Sequence, residues 1–224
     1  MISVVIVAAG KGTRMGPNID KLFLEVAGRP LVAHTWERFD RHPEVEHVVV
    51  VVREGMDAAF RELADQIKMT KPFSFAIGGK ERQNSVWNGL EALPKETKIV
   101  AIQDGARPCT SAQTISDTLK SAKETGAAVA AQKVTDTIKE AAADKTISRN
   151  VDRTHLWSVQ TPQAFRVEVI RRALSEVFRQ NLNVTDDTAA CELIHQPVRL
   201  VESSAPNPKA TTAADLPYIE LLLR

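Results

Sequence analysis

Apolar residues fall along this chain in short unbroken runs. Residues 2–8 (ISVVIVA), 47–52 (HVVVVV), 73–77 (FSFAI), 98–102 (KIVAI) and 127–132 (AAVAAQ) show no regular polar alternation. Such runs predict strands buried on both faces. The segments between them, at 30–41, 55–67, 81–93 and 111–125, read as helices. Pro30 lies near the first turn of the first, and Gly126 stops the last. Strands alternating with helices predict an α/β fold: a Rossmann-like, mostly parallel, twisted sheet with helices on both faces. Right-handed crossovers then place the loops that follow the strands on one rim.

Residues 133–160 break this rhythm. Segments 134–139 and 146–151 carry β-branched residues around a polar turn at 140–145, with little apolar content of their own. This predicts a protruding β-hairpin arm, with a plain solvated surface hairpin as the alternative. Beyond it, 156–160 and 198–202 read as strands, and 167–180, 185–194 and 213–223 as helices. With no internal repeat and no low-complexity linker, residues 1–224 read as a single domain with an arm at 133–155.

Composition narrows the function classes. The chain has 224 residues, 43% apolar and 25% charged, which suits a sizeable core. A net charge of +1 gives no bulk field for nucleic acid or an anionic membrane, so neither is expected as a partner. Cys109 and Cys191 form no CxxC or zinc spacing and fit a reducing compartment. No apolar run approaches the ~20 residues of a membrane span. The chain enters a strand at once, without a targeting segment, so the expectation is a cytoplasmic protein.

The first strand ends in Ala8-Ala9-Gly10-Lys11-Gly12-Thr13-Arg14-Met15-Gly16, with Lys21 beyond it. Small residues at a strand end let backbone N–H groups approach an anion closely. Arg14 and Lys21 add two cations. The segment matches neither GxxxxGK[ST] nor GxGxxG, because Gly16 comes one position late. Backbone donors with paired cations suit a nucleoside triphosphate whose pyrophosphate must leave, which points to nucleotidyl transfer. Asp104 follows the strand at 98–102 and would share the rim with this loop. It either helps hold Mg²⁺ with phosphate oxygens or caps the turn with Gly105. Arg107, three residues on, either reaches a phosphate or braces the loop. Gly78-Gly79 and Ser85 would close one wall, Ser85 being otherwise an ordinary first-turn serine. Lys209 lies in the rigid Pro206-Asn207-Pro208-Lys209 stretch. His34, His42, His47, His155 and His195 show no metal spacing, and Trp36, Trp87 and Trp157 read as core.

These segments carry a resemblance. The motifs AAGKGTRM (8–15), Lys21, GGKERQNSV (78–86), DGARP (104–108), DTIK (136–139), VDR (151–153), TPQAF (161–165), TDD (185–187) and NPKAT (207–211) occur in one order over nearly the whole length. Together they resemble the 2-C-methyl-D-erythritol 4-phosphate cytidylyltransferases of the non-mevalonate isoprenoid pathway. The opening loop alone marks the wider nucleotidyltransferase group, whereas the later set is more specific. The resemblance implies that CTP and 2-C-methyl-D-erythritol 4-phosphate give the CDP-alcohol and pyrophosphate. It implies that Ala8, Ala9, Gly10, Gly12, Gly79 and Ser85 hold the nucleotide. Arg14 and Lys21 would stabilise the pentacoordinate α-phosphate, and Asp104 would bind Mg²⁺ or another divalent cation. Arg107, Thr137, Arg153, Thr185 and Lys209 would shape the acceptor site, with Arg153 and Lys209 also counted as catalytic. It further implies a homodimer with interlocking arms, so that Thr137 and Arg153 act in the partner's site. Pro206 and Lys80 stand where the family often has acidic residues, and Gly105 where alanine is common.

The implied nucleophile is a phosphate monoester, already largely dianionic at neutral pH with a second pKa of ~6. No general base is then needed, and catalysis falls to positioning and charge neutralisation. The nearest rival is a cytidylyltransferase for another polyol phosphate such as ribitol 5-phosphate. Arg153 and Trp157 favour methylerythritol phosphate. A nicotinamide-dependent oxidoreductase and a non-catalytic nucleotide-binding module are the rivals from other classes. The late third glycine opposes the first, and Arg14, Lys21 and Asp104 together oppose the second.

Overall fold

A computed structural model describes residues 1–10, 20–203 and 205–224. β1 (Ile2–Val7) is followed by a small hairpin, β2 (Glu25–Val26) and β3 (Arg29–Pro30), and then by α1 (Leu31–Asp40). Three strand–helix pairs come next: β4 (His47–Val52) with α2 (Asp57–Gln66), β5 (Phe73–Ile77) with α3 (Arg82–Glu91), and β6 (Ile99–Asp104) with α4 (Ala112–Thr125). β7 (Ala127–Lys133) leads into a second hairpin, β8 (Ile138–Ala141) and β9 (Ile147–Val151), and the chain returns through β10 (Trp157–Arg166). α5 (Val167–Arg179), α6 (Asp187–Glu192), β11 (Arg199–Glu202), a 3₁₀ turn (Ala213–Asp215) and α7 (Leu216–Leu223) follow.

The main sheet has seven strands in the order β11-β7-β10-β6-β1-β4-β5. Every pairing is parallel except those of β10, which runs antiparallel to both β6 and β7. The unbroken apolar runs resolve into two interleaved sets. Val4, Ile6, Val48, Val50 and Val52 pack with Trp36, Phe39 and Phe60 beneath α1 and α2. Val5, Val49, Val51, Val100 and Ile102 pack with Leu90 of α3 and Ile170 and Leu174 of α5. Both faces are covered, so no polar alternation survives. Trp36 is fully buried and meets Phe73 edge-on at 5.2 Å, as expected of a core residue.

Local chemistry sets the helix ends. The Ser111 hydroxyl caps α4 by accepting from the Thr114 N–H at 3.1 Å. Gly126 ends it at φ +92°, a left-handed conformation that glycine adopts without a Cβ penalty. Asp186 caps α6, so that helix begins at Asp187, two residues later than its pattern suggests.

Three elements depart from the expected pattern. β6 continues to Asp104, which pairs with Val7, so this carboxylate ends the strand rather than following it. β10 continues through Thr161-Pro162 to Arg166, although that dipeptide reads as a stop. The Thr161–Pro162 peptide is cis, and the register with β7 shifts between Val159 and Gln163, so a bulge takes up the proline. The β2–β3 hairpin gives no signal in the apolar pattern. The arm forms as expected: β8 and β9 pair only with each other, and residues 139–150 are exposed. Among the described residues, no helix is long and apolar enough to cross a membrane.

At Gly89, α3 packs closely against the sheet. A Cβ there would lie 2.5 Å from Val5 Cγ1 and 2.9 Å from Val51 Cγ2. Gly89→Ala is therefore expected to destabilise the protein by about 1–3 kcal/mol through overpacking. The roughly 1 kcal/mol that alanine gains over glycine inside a helix offsets part of this, leaving a net loss of up to about 2 kcal/mol. Urea unfolding measures it, and an unchanged or raised midpoint would show that α3 lifts freely off the sheet.

Candidate active site

The ends of β1, β5 and β6 meet on the rim of the sheet and open into a cleft of about 510 Å³. Ala9, Gly10, Lys21, Gly79, Ser85, Asp104 and Lys209 line it, together with Lys80, Glu81 and Arg82. Ladder bonds run on past the strands: Ala8 N–H donates to the Val51 carbonyl at 2.8 Å, Gly78 N–H to Val52 at 2.8 Å and Gly105 N–H to Val7 at 3.0 Å. These fix three loops against one another. The loops also touch. A Cβ on Gly78 would lie 2.3 Å from that of Ala9, so this approach requires glycine.

Ser85 sits in the first turn of α3, and its hydroxyl is engaged by the loop beside it. It accepts from Gly79 N–H at 3.0 Å and donates to the Glu81 carbonyl at 3.2 Å. Ser85 thus lines the cleft and also sets the shape of the turn before α3.

Asp104 is the most constrained group. It is buried, and its N–H donates to Thr161 Oγ1 at 3.1 Å. Lys209 Nζ lies 2.7 Å and Arg107 Nε 3.6 Å from its Oδ2, while Arg82 Nε lies 3.6 Å from its Oδ1. Burial alone would raise its pKa. Lys209, Arg82 and Arg107 outweigh that and hold it at about 2, so the group is an anion at neutral pH.

Lys209 is delivered by a pinned segment. The buried Asn207 side chain donates from Nδ2 to the Thr161 carbonyl at 2.8 Å and to Gln160 Oε1 at 3.2 Å, and its Oδ1 accepts from Thr110 Oγ1 at 3.0 Å. Arg107 donates to the Asn207 carbonyl at 2.7 Å, and Ala210 N–H to Ala106 at 2.9 Å. The bulge in β10 supplies Gln160 and Thr161 to this network, a common use of a bulge beside a site. Lys21 reaches the same segment, donating from Nζ to the Ala210 carbonyl at 3.1 Å.

The remaining expected residues fall elsewhere. Ala8 is buried beneath the cleft wall. Arg107 braces Asp104 and Asn207 from behind and does not line the cleft. Thr137 and Arg153 lie on the exposed arm, where Arg153 bonds the Thr135 carbonyl, and neither lines this chain's own cleft. Thr185 is exposed just ahead of α6 and outside the cleft lining. Gly12 and Arg14 lie outside the described residues. Sequence reasoning assigned nothing to Arg82, whose NH1 bonds the buried Asp187 Oδ2 at 2.7 Å. Its only advance signal was membership of the GGKERQNSV motif, for an arginine at a helix start is otherwise ordinary.

Among the described residues, no three His, Cys, Asp or Glu side chains gather to hold a metal. Mg²⁺ is commonly bound by one or two carboxylates plus substrate phosphates, and an ionised Asp104 on a cleft wall fits that role.

Comparison with known proteins gives one consistent result. Residues 2–224 match the family model for IspD, 2-C-methyl-D-erythritol 4-phosphate cytidylyltransferase. The enzyme of that name from Synechococcus elongatus is 42% identical over 222 residues, covering 99% of this chain and 95% of the relative. That from Pelotomaculum thermopropionicum is 39% identical over 224 residues, covering 100% and 94%. The crystal structure of the Thermus thermophilus 2-C-methyl-D-erythritol 4-phosphate cytidylyltransferase superposes with a TM-score of 0.79 at 32% identity, covering 98% of this chain and 97% of that one.

The depressed carboxyl of Asp104 makes a stability prediction. Its shift from 3.8 to about 2 corresponds to about 2 kcal/mol. Because the folded pKa is the lower one, this stability is fully present above pH ~4 and is lost as pH falls through about 2. Urea unfolding should show wild type exceeding Asp104→Asn by at least about 2 kcal/mol at pH 7, with the gap narrowing at pH 3. A gap independent of pH would refute the charge pairing.

Proposed function

The chain belongs to the 2-C-methyl-D-erythritol 4-phosphate cytidylyltransferase family, and on that premise we propose how its cleft transfers CMP from CTP to 2-C-methyl-D-erythritol 4-phosphate. The products are 4-diphosphocytidyl-2-C-methyl-D-erythritol and pyrophosphate, and the reaction serves isoprenoid biosynthesis. The observation that carries the residue assignment is the convergence of Lys21 and Lys209 on a cleft that also holds an ionised Asp104.

The acceptor phosphate oxygen attacks the α-phosphorus of CTP. One P–O bond forms, and the bond to the bridging oxygen breaks, its electron pair leaving with pyrophosphate. The acceptor monoester is largely a dianion at neutral pH, so no residue need take a proton. The obstacle is bringing a dianion to a polyanion, and preorganised cations remove it. Ala8, Ala9, Gly10, Gly12, Gly79 and Ser85 form the nucleotide side. Arg14 and Lys21 stabilise the pentacoordinate α-phosphate and the departing pyrophosphate. Lys209 leaves Asp104 for phosphate as substrate enters. Arg107 holds Asp104 and the Lys209 segment in place, and Thr185 contributes to the acceptor side. Asp104 is the residue to hold Mg²⁺ or another divalent cation, which when bound neutralises phosphate charge.

The arm, residues 133–155, is the dimerisation element in this reading. Arg153 and Thr137 stand clear of their own cleft, which suits service in a partner's site within a homodimer. A reducing, cytoplasmic setting suits Cys109 and Cys191, both free, with burial pushing their thiols up to about 11 and about 12.

Steady-state kinetics should show Lys21→Ala lowering kcat about 100- to 1,000-fold with a much smaller change in CTP affinity. An unchanged kcat would remove Lys21 from the transition state. Mixing inactive Lys21→Ala and Arg153→Ala chains should restore part of the activity, since one of the two sites in a mixed dimer is then intact. Absence of complementation in verified mixed dimers would place Arg153 in its own chain's site or in none.

A further inference from the structure

The start of α3 clasps the segment that precedes α6. The Gln83 side chain donates from Nε2 to the Leu182 carbonyl at 2.8 Å and accepts from Val184 N–H at 3.0 Å through Oε1. The neighbouring Arg82 donates from NH1 to Asp187 Oδ2 at 2.7 Å. Thr185 lies between these gripped positions. The far side of the segment is held as well. Asp187 N–H donates to Gln163 Oε1 at 3.1 Å, and Gln163 Nε2 donates to Asp186 Oδ2 at 2.8 Å.

Arg82 differs from the other members of this clasp because it also faces the cleft. Its side chain is 28% exposed, and its Nε stands 3.6 Å from Asp104 Oδ1. Asp187 is 1% exposed and its Oδ1 has no hydrogen-bond partner among the described residues, so Arg82 is its principal compensation. A planar guanidinium can address two carboxylates at once, which an ammonium cannot do in the same geometry. Gly79 and Ser85, on the nucleotide wall, flank Arg82 in sequence.

We propose that Arg82 is a positioning residue that fixes the Thr185 segment relative to Asp104 and so couples the nucleotide side of the cleft to the acceptor side. This rests on the placement of Thr185 in the acceptor site. Arg82 acts through Asp187 and not by contact with the reacting phosphates. Its loss shifts Thr185 and leaves the nucleotide wall standing, since Ser85 and the ladder bonds hold that wall independently.

The test is steady-state kinetics with both substrates varied, on Arg82→Gln, Arg82→Lys, Asp187→Asn, Thr185→Val and the pairwise combinations with Arg82→Gln. Arg82→Gln should raise KM for methylerythritol phosphate about tenfold and leave KM for CTP within about threefold. Arg82→Lys keeps the charge without the fork and should recover only part of the loss. Asp187→Asn should show the same split, and its combination with Arg82→Gln should be no worse than the worse single variant. In a Thr185→Val background, Arg82→Gln should add little. The Thr185→Val cycle serves if Asp187→Asn fails to fold, because position 185 is exposed. Additive effects in these cycles would overturn the proposal. So would a matching rise in KM for CTP, which would mean contact with the nucleotide, or lowered thermal stability with unchanged kinetic constants, which would mean a scaffold role alone. Thr185→Val with an unchanged acceptor KM would overturn the placement of Thr185 itself. A raised KM without coupling to Arg82 would overturn only this proposal.

Discussion

A carboxylate buried at the end of β6 must be compensated, and much of the rim is arranged to do so. Removing an ion from water costs several kcal/mol unless partners replace the lost hydration. For Asp104 the partners come from three segments: Arg82 from α3, Arg107 from the turn after β6, and Lys209 from the stretch before α7. Each segment must then be held. Asn207 ties the Lys209 stretch to the β10 bulge, and Asp187 anchors Arg82. The sheet places the anion, and the anion gathers cations around it. Lys209, which lines the cleft, can serve stability before substrate arrives and charge neutralisation after it does, while Arg82 and Arg107 stay as braces.

Much of the fold is legible in the chain because the central strands are covered on both faces. Runs such as residues 47–52 leave no polar alternation to misread. Legibility fails where a long-range contact decides. Thr161-Pro162 looks like a stop, yet β10 continues because Gln163–Arg166 find partners on β6. Asp104 looks like a loop residue, yet Val7 across the ladder makes it a strand end. The two-residue strands β2 and β3 are too short to show a pattern.

The site divides in the same way. Gly10, Gly79 and Asp104 stand next to glycine turns and strand ends, where local sequence announces chemistry, and Lys21 is readable as a motif cation just beyond the first such loop. Arg82 and Asn207 carry no such mark. Their importance comes from partners about a hundred and about fifty positions away, Asp187 and Thr161, which only the folded chain brings near. The residues of the arm are readable as motifs. Their distance from this chain's own cleft is a geometric fact that no spacing rule contains.

β10, the antiparallel strand of the main sheet, has a consequence for how such a protein can diversify. Trp157 at the start of β10 pairs with Lys133 at the end of β7, so the chain leaves and rejoins the sheet at adjacent points on the same rim. Whatever lies between those two residues is an insert with closely spaced ends, and among the described residues its two strands pair only with each other. A longer, shorter or differently charged hairpin could be exchanged there without rewiring a strand crossing. The one reversal in the main sheet lets the arm change in length or charge without disturbing the core, so long as Thr137 and Arg153 are kept for the partner's site.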